Sequence, residues 1–239
     1  MKGILGKKIG MTHIYDQSGR HVPATVIEAG PCFIVQVKTT ETDGYKAIQL
    51  GYGVRRESLT NKPELARFKK AGVAPQRFVR ELRVDDVANY KIGQKIEADV
   101  FATGEYVDIT GISIGRGFQG GMKRWGWSGG DSGHGSMFHR QPGSIQSGPR
   151  LSRVTKGKHM PGHMGHEKKT IQNLELLRVD KDNNMLLVKG AVPGHKNGFL
   201  IIKEAKKKKK AHKAPEAQHA QAGKAKKETK RDAKAEAKK

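Results

Sequence analysis

A glycine-rich motif is the first candidate for chemistry in this sequence. Gly115–Gly120 (GRGFQG) matches the GxGxxG spacing of dinucleotide-binding loops and follows the strand-like segment YVDITGI. A dinucleotide site needs an apolar helix next and an acidic residue about twenty positions further on. The residues that follow, GMKRWGWSGGDSG, do not predict a helix. The glycines are better explained as positions where the backbone can approach another chain closely.

A serine in the same region resembles a hydrolase nucleophile. Ser132 lies in the sequence GDSG and is followed two residues later by His134. Nucleophilic catalysis needs an imidazole held at hydrogen-bonding distance from the hydroxyl and a third group that orients the ring. A backbone so rich in glycine cannot hold His134 in that geometry. We therefore expect no catalytic residues here and no enzymatic activity.

Three histidines could bind a metal ion. His159, His163 and His166 lie in KHMPGHMGHE, where the last residue is Glu167. Proline and glycine within this segment prevent a helix that would present two imidazoles on one face, and no cysteine is nearby. The sequence therefore predicts neither a metal nor a cofactor. The imidazoles are better interpreted as hydrogen-bond donors and stacking rings in a cationic loop.

These motifs all lie in residues 111–170, a segment that cannot form its own hydrophobic core. It contains 15 of the 30 glycines, five of the ten histidines, ten Lys/Arg and only two acidic residues. Apolar residues show no sustained period of 2 or 3.6, so a packed sheet or helix is not predicted. Yet both tryptophans, Trp125 and Trp127, lie here next to Arg124. Cations, flat rings and permissive backbone favour a segment that becomes ordered against RNA, although one indole could instead pack back on the folded domain.

The charge distribution indicates a polyanionic partner. The formal net charge is +23, and residues 111–170 together with 203–239 carry most of the excess. Nucleic acid and an acidic membrane surface are the two candidates. No basic amphipathic helix with a strong apolar face is present, and no run of 18 apolar residues or signal peptide occurs. Nucleic acid is therefore the predicted partner, with no membrane.

The regions on both sides of the glycine-rich segment predict short β-strands. The strand-like segments end at Tyr15, Ala29, Thr39 and Tyr52, and turn signals such as Asp43-Gly44 separate some of them. The predicted elements are strands within 1–15, 21–29, 33–39, 45–52, 78–84, 92–100, 106–112, 171–179, 185–188 and 199–202, and a helix at 62–72. Because strands flank the segment on both sides, it is predicted to be an insertion whose two ends return to the same barrel or sheet.

The remaining features are simpler. Cys32 is the single cysteine, so it forms no intramolecular disulfide and is predicted to be a small buried hydrophobic residue. From Lys206 onward the chain has no aliphatic residue larger than alanine and no aromatic residue. Such a tail is predicted to be disordered when free. Binding to a polyanion and a role in solubility are equally open for it.

Several motifs taken together resemble a known family. They are GILGKKIGMT, VPATVIEAGPC, IVQVK, DGYKAIQLGY, KPELARFKKAGV, GRGFQGGMKRW, HGSMFHRQPGSI, KGKHMPGHMG and LLVKGAVPG. In this order, across nearly all of residues 1–202, they resemble the universal large-subunit ribosomal protein number three in its bacterial form. Each motif alone is weak, and their common order makes the resemblance specific.

The resemblance implies both a fold and a function. It implies a primary binder of large-subunit (23S) rRNA near the 3′ end of that RNA, which helps to start subunit assembly in the cytoplasm. It also implies a six-stranded closed barrel of the translation-protein type and a long extension toward the peptidyl-transferase centre. In this chain the matching extension is about Gly115–Glu167, with its tip around Gln141–Arg153.

The chain departs from the family pattern in two places. Many relatives read PGSIG at the tip, whereas this chain reads PGSIQSGPRLSRV. Some relatives carry a methylated glutamine there, but Gln146 falls one position early, and the modification is not carried over. The tail after Ala205 also exceeds the usual length of the family.

Composition and resemblance together give a mainly β fold. It combines the six-stranded closed barrel with a small α/β part, a long irregular RNA-binding extension between strands and a disordered basic C-terminal tail. The predicted parts are a discontinuous barrel domain (1–114 and 168–205), an rRNA-penetrating loop (115–167) and the tail (206–239). The predicted rRNA contacts are Arg116, Lys123, Arg124, Trp125, Trp127, His134, His139, Arg140, Gln141, Arg150, Arg153, Lys156, Lys158, His159, His163 and Lys168.

Three functions remain as hypotheses at this point. The first is a structural rRNA-binding protein whose partners are large-subunit rRNA and neighbouring ribosomal proteins, with no small-molecule substrate. The second is a general condenser of nucleic acid, which the charge of the tail alone would favour. The third is an RNA-modifying enzyme that uses the histidine-rich loop.

Overall fold

The fold is mainly β, with three short α-helices, in a computed structural model that describes residues 2–16, 18–145 and 153–208. The helices are α1 (Thr40–Asp43), α2 (Lys62–Ala71) and α3 (Gly121–Trp125). The strands are β1 (Gly3–Tyr15), β2 (His21–Ala29), β3 (Cys32–Lys38), β4 (Ala47–Val54), β5 (Gln76–Arg83), β6 (Lys95–Ile96), β7 (Tyr106–Ile112), β8 (Gly117–Gln119), β9 (Gly162–Met164), β10 (Lys168–Asp180), β11 (Met185–Lys189) and β12 (Phe199–Glu204).

Six of the strands close into a barrel. Their order is β1-β12-β7-β10-β11-β2, and every neighbouring pair is antiparallel. Alternate residues point inward, so Ile4, Ile27, Ile109, Leu186 and Ile202 are fully buried in one core. Closure leaves no unpaired strand edge in the barrel. The prediction of a mainly β fold with a six-stranded closed barrel is confirmed.

A second sheet, with the strand order β5-β4-β3-β6, packs beside the barrel. Ile48 and Leu50 belong to the same buried cluster as the barrel residues. Elsewhere in this sheet, Val35 packs against Phe68 and Ala71 of α2. This sheet and its helix form the small α/β part that was predicted.

Helix α2 agrees closely with its prediction. Pro63 lies in the first turn, where its missing N–H costs no hydrogen bond. Gly72 ends the helix in the left-handed conformation (φ 68°) and donates its N–H to the Lys69 carbonyl at 3.1 Å. Phe68 is buried, and Leu65 is half-buried.

The strand predicted at residues 92–100 is wrong. The structure has only the two-residue strand β6 there, followed by a 3₁₀ turn at Ala98–Val100. Pairing with β3 is limited to two residues, Lys95 and Ile96. Ile92 is exposed, whereas Ile96 and Ala98 are buried in the core, so the apolar residues of this segment do not all share one strand face.

The glycine-rich insertion leaves and re-enters the barrel between neighbouring strands. Strands β7 and β10 are hydrogen-bonded to each other, with Ile112 opposite Lys168 and Gly111 opposite Lys169. The hydroxyls of Thr110 and Thr170 also form a 2.8 Å hydrogen bond across this pair. The prediction that the segment is inserted between barrel strands is therefore confirmed.

The chain after β12 is held by the barrel for a few residues. Ala205 is buried, and its N–H donates to the Tyr106 carbonyl at 3.0 Å. The Lys206 N–H donates to the Asp108 carboxylate at 3.4 Å. Residues 209–239 lie outside the described part of the chain, and the prediction about the tail falls almost entirely on them.

The single cysteine belongs to the core of the protein. Cys32 is fully buried, and its thiol donates to the Leu5 carbonyl at 3.3 Å, which confirms it as a small core residue. Within the described ranges, none of the helices has the length and the apolar character needed to span a bilayer.

Candidate nucleic-acid interface

The root of the inserted segment is a narrow two-stranded ribbon. In β8 and β9, Gly117 lies opposite Met164 and Phe118 lies opposite His163. Below this ribbon, the Arg116 N–H donates to the Met164 carbonyl at 2.8 Å. Gly165 has φ 77°, and a Cβ there would overlap the Ile114 carbonyl, so this position requires glycine. The inserted segment thus has an outgoing arm (from residue 113) and a returning arm (up to residue 167), and backbone hydrogen bonds fix the two arms to each other as they leave the barrel.

A short helix follows the ribbon, although the sequence did not predict one. Helix α3 covers Gly121–Trp125 and ends at Gly126, which adopts φ 73°. Five residues are too few to show a helical period, and glycines lie on both sides, so the pattern was hidden. The correction does not restore a dinucleotide site, because that site needs a long apolar helix. The indole of Trp127 packs over Gly121 so closely that a Cβ there would overlap the rings.

The two arms are joined a second time above the ribbon. Arg124 donates from Nη1 to the Met160 carbonyl at 2.8 Å, and Trp125 donates from Nε1 to the same oxygen at 2.8 Å. The Trp125 indole stacks on the His159 imidazole with centroids 4.0 Å apart. The Arg124 guanidinium carbon also lies 4.9 Å from the indole centroid. Two candidate RNA-stacking residues and one cation thus hold the extension together.

The next loop folds back on itself. The Gly130 N–H donates to the His139 carbonyl at 3.0 Å. His139 Nδ1 lies 2.9 Å from the Asp131 carbonyl, and because a carbonyl only accepts, the ring nitrogen is the donor. The Phe138 ring lies against Gly130 and Gly143. The loop is thus ordered by its own backbone and by one aromatic ring.

The predicted contact residues separate into two groups. One group makes contacts within the extension, and it consists of Arg124, Trp125, Trp127, His139 and His159. The other group has exposed side chains, and it consists of Arg116, Lys123, His134, Arg140, Gln141, Arg153, Lys156, Lys158, His163 and Lys168. Arg150 and Gln146 lie outside the described residues.

The histidines and the serine motif do not assemble a catalytic or metal site in the described residues. His159 stacks on Trp125, His163 lies in β9, and His166 adopts φ 52° at the root. The ranges that the structure covers contain no group of three or more His, Cys, Asp or Glu side chains that could hold a metal ion. No described hydrogen bond joins Ser132 to His134.

The electrostatic character of the extension is strongly positive. Glu167, one of its two acidic residues, pairs with Lys169 at 2.9 Å. The hydrogen bond from Lys169 and its positive charge lower the pKa of the Glu167 carboxyl. Among the described residues from 116 to 158, no lysine or arginine forms an ion pair with a carboxylate. A row of cations without acidic partners is what a polyanion can neutralise.

Two exposed features were not among the predicted contact residues. Phe118 is 77% exposed in β8 and Met137 is 93% exposed in the next loop, although both are apolar. The sequence did contain a signal for Phe118, because an aromatic residue inside a glycine-rich motif has little protein around it to pack against. The second feature is Lys203 and Lys206, which lie beside the predicted contact residue Lys168; burial and then the charges of Lys168 and Lys206 lower the pKa of Lys203. Separation in sequence concealed this proximity.

Comparison with known proteins places the chain among ribosomal proteins. The family model described as ribosomal protein L3 matches residues 79–185. A protein of Pelotomaculum thermopropionicum called large ribosomal subunit protein uL3 is 55% identical over 207 residues, covering 86% of this chain and 98% of that protein. Proteins of the same name from Desulfitobacterium hafniense and Geobacter metallireducens are 55% and 52% identical, covering 97% and 98% of their own lengths and 86% of this chain.

Proposed function

The chain belongs to the ribosomal protein L3 family, and on that premise we propose that it binds 23S rRNA near the 3′ end of that RNA. It is a structural constituent of the large ribosomal subunit in the cytoplasm, and it is not an enzyme. Through this binding the protein helps to start subunit assembly. Its extension supports the peptidyl-transferase region without taking part in the chemistry.

One observation carries this proposal. The exposed cations of the extension lack carboxylate partners in the described residues. Its backbone, in contrast, forms hydrogen bonds within the extension, and the Trp125 and His159 rings stack on each other. A segment whose arms are hydrogen-bonded to each other, and whose positive charge is not neutralised by its own carboxylates, is suited to neutralising closely packed RNA phosphates. The barrel supports the two ends of this segment on neighbouring strands.

The proposed parts of the chain keep the boundaries that the sequence indicated. Residues 1–114 and 168–205 form the barrel domain, residues 115–167 form the rRNA-penetrating extension, and residues 206–239 form a basic tail. The exposed candidates, such as Lys123, Lys156 and Lys158, contact phosphates. Trp125 and His159 position the extension. Neighbouring large-subunit proteins are the other partners, and there is no membrane or small-molecule ligand.

A footprinting experiment tests this proposal. We would replace Lys123, Lys156 and Lys158 with glutamine in one variant, and Lys46, Lys91 and Lys181 in a control that loses the same charge from outside the extension. Chemical footprints of 23S rRNA in purified subunits would then be compared. We expect the first variant to expose rRNA nucleotides in the peptidyl-transferase region and the control to leave them protected. Equal footprints in the two variants would contradict the role of the extension. In a separate sedimentation of cell extract, recovery of the protein with the nucleoid would favour a general condenser of nucleic acid.

A further inference from the structure

A cleft on the second sheet, far along the chain from the extension, has the composition of a phosphate site. It encloses about 220 Å³ between α2 and strands β3, β4 and β5. Four arginines line it, and Glu64 is the single carboxylate among its lining residues. The arginines are Arg55, Arg67, Arg77 and Arg80, and none of them forms an ion pair with a described carboxylate. Glu81 lies near Arg67 but is already paired with Lys38 at 2.8 Å. Four arginines and one acidic residue in the lining leave a local excess of positive charge for an anion.

A buried amide lines the same cleft. Gln49 is 9% exposed, and its Oε1 has no hydrogen-bond partner in the described part of the protein. Gln76 is also buried, but its Nε2 donates to the Ala74 carbonyl at 2.9 Å. A buried acceptor without a donor is costly, so the Gln49 oxygen calls for a ligand hydroxyl or N–H. A phosphate oxygen bound by arginines would not supply that donor, whereas a ribose hydroxyl beside the phosphate would.

A second cleft continues from the first. It has a volume of about 570 Å³ and shares Gln76 and Arg77 with the arginine cleft. Phe33, Tyr52 and Phe199 contribute aromatic surface to its lining. The same lining also holds polar side chains, among them Lys7, His195 and Asn197. A cleft that combines aromatic and polar groups beside a phosphate site matches a nucleotide whose base has left its stack, because such bases are recognised by aromatic contact and by hydrogen bonds to their edges. An acidic peptide would use the arginines but would not need the aromatic cleft.

The cations are also held in place beside the aromatic rings. The Arg77 guanidinium carbon lies 5.5 Å from the centroid of Phe199, and that of Arg80 lies 4.7 Å from the centroid of Phe78. The Phe78 and Phe199 rings stack with centroids 4.6 Å apart and planes 7° from parallel. Phe78 belongs to the second sheet and Phe199 to the barrel, so the guanidiniums of Arg77 and Arg80 lie near the place where the two sheets meet. Their positions therefore follow from the core packing.

We propose that the two clefts form a ribonucleotide-binding site for single-stranded RNA, with the phosphate among the arginines, the ribose hydroxyl on Gln49 and the base in the aromatic cleft. This site rests on the proposed rRNA-binding function and adds a second contact that is independent of the extension. Its ligand class is a splayed nucleotide of rRNA. The same arrangement would favour RNA over DNA, because only the ribose offers a 2′-hydroxyl as a donor.

The test uses the full-length protein and site-resolved NMR of side-chain N–H groups. The probes are a hexauridylate, the corresponding deoxyribose oligomer and a hexaglutamate peptide. We expect hexauridylate to shift the Gln49 amide and the Arg67 Nε–H signals, and the deoxyribose oligomer to bind several-fold more weakly. The Gln49→Leu variant should abolish the difference between the two oligomers. A preference that persists in this variant, or shifts of equal size with hexaglutamate, would overturn the proposal.

Matched variants test the role of the arginines. An Arg67→Gln/Arg80→Gln protein should bind hexauridylate at this site about tenfold more weakly, because two charge-assisted hydrogen bonds to phosphate are lost. A Lys62→Gln/Lys69→Gln protein loses the same charge from α2 outside the clefts and should change by less than about twofold. Equal losses in both variants would mean general electrostatic attraction and would contradict a defined site.

The outcome is separable from that of the proposed function. Shifts confined to residues of the extension would leave rRNA binding intact and overturn the cleft site alone. Shifts at the clefts would support this site whatever the extension does. An absence of any shift with hexauridylate would overturn the cleft site, whereas the footprints of 23S rRNA decide the role of the extension.

Discussion

The indole of Trp125 lies flat against the imidazole of His159, with ring centroids 4.0 Å apart and planes 2° from parallel. The two residues belong to opposite arms of the extension, and the indole N–H also donates to the carbonyl of Met160. Sequence alone favoured these rings as surfaces for RNA bases. Their first role in the structure is to hold the two arms together before any RNA is bound.

The packing of Trp127 on Gly121 gives the first prediction. A methyl group at Gly121 would overlap the indole, so Gly121→Ala should displace Trp127 and loosen α3. We expect a red shift of tryptophan fluorescence and about a fivefold loss of rRNA affinity, equivalent to roughly 1 kcal/mol. The midpoint of thermal unfolding should remain unchanged, because the barrel core does not include this helix.

Gly120→Ala is the matched control for this experiment. A Cβ at Gly120 would meet nothing within 4 Å, and its backbone angles (φ −67°, ψ 168°) are open to alanine. The two substitutions lie one position apart, and only the methyl group at Gly121 meets the Trp127 indole. Similar fluorescence and affinity in both variants would show that the Gly121–Trp127 contact has no role.

The second prediction concerns the independence of the barrel. No fully or largely buried hydrophobic side chain of the described core lies between residues 113 and 166. Replacing Trp125–Lys158 with a short glycine linker should therefore leave a β-rich protein with an unfolding midpoint within a few degrees of the parent. Circular dichroism measures both quantities. An unfolded product would show that the extension supplies stability that its burial does not reveal.

The sequence predicted the barrel well because its signals are local and repeated. Strand β2 spans His21–Ala29, the range that the sequence predicted, and β1 ends at Tyr15 as expected. The core of Ile4, Leu5 and Ile109 follows from such strands. The closure of the six strands into a barrel was predicted from the family resemblance alone. Periodicity indicates which face of a strand is buried, but it does not indicate which strands become neighbours.

The extension was less predictable for a physical reason. Its short helix and ribbon contain too few residues for a period, and its order depends on single contacts such as Trp127 on Gly121. The clamp that joins Arg124 to the Met160 carbonyl links positions 36 residues apart. No pattern within either arm encodes that pairing. The arginines of α2 and β5 were not recognised as a group, because folding brings them to one cleft from separate elements.

The third prediction concerns the thiol of Cys32. Burial raises its pKa to about 12, against an ordinary value of 9.0. A raised pKa in the folded state stabilises the protein below pH 9, and this contribution is lost as the pH rises from about 9 toward 12. The free energy of unfolding should therefore fall more steeply with alkaline pH in the parent than in Cys32→Ala.

Reactivity gives a second measurement for Cys32. The native protein should not react with a thiol-specific disulfide reagent at pH 8, because the thiol is buried and protonated. In denaturant one thiol per chain should react, since Cys32 is the single cysteine. Rapid labelling of the native protein would contradict the burial of this residue.

The last prediction separates two roles for Trp125. If its indole acts through the stack on His159, then Trp125→Ala and His159→Ala should each weaken rRNA binding by about 2- to 10-fold, the equivalent of roughly 0.5–1.5 kcal/mol for an aromatic pair. In the double variant the loss should be little greater than in either single variant, because the stack can be lost only once. If the indole instead stacks on a base of the RNA, the two losses should multiply. Filter binding of 23S rRNA by the four proteins of this cycle measures the difference. The exposed Phe118 offers the comparison: in the described residues the His159 ring stacks on Trp125 and not on Phe118, so Phe118→Ala and His159→Ala should act independently.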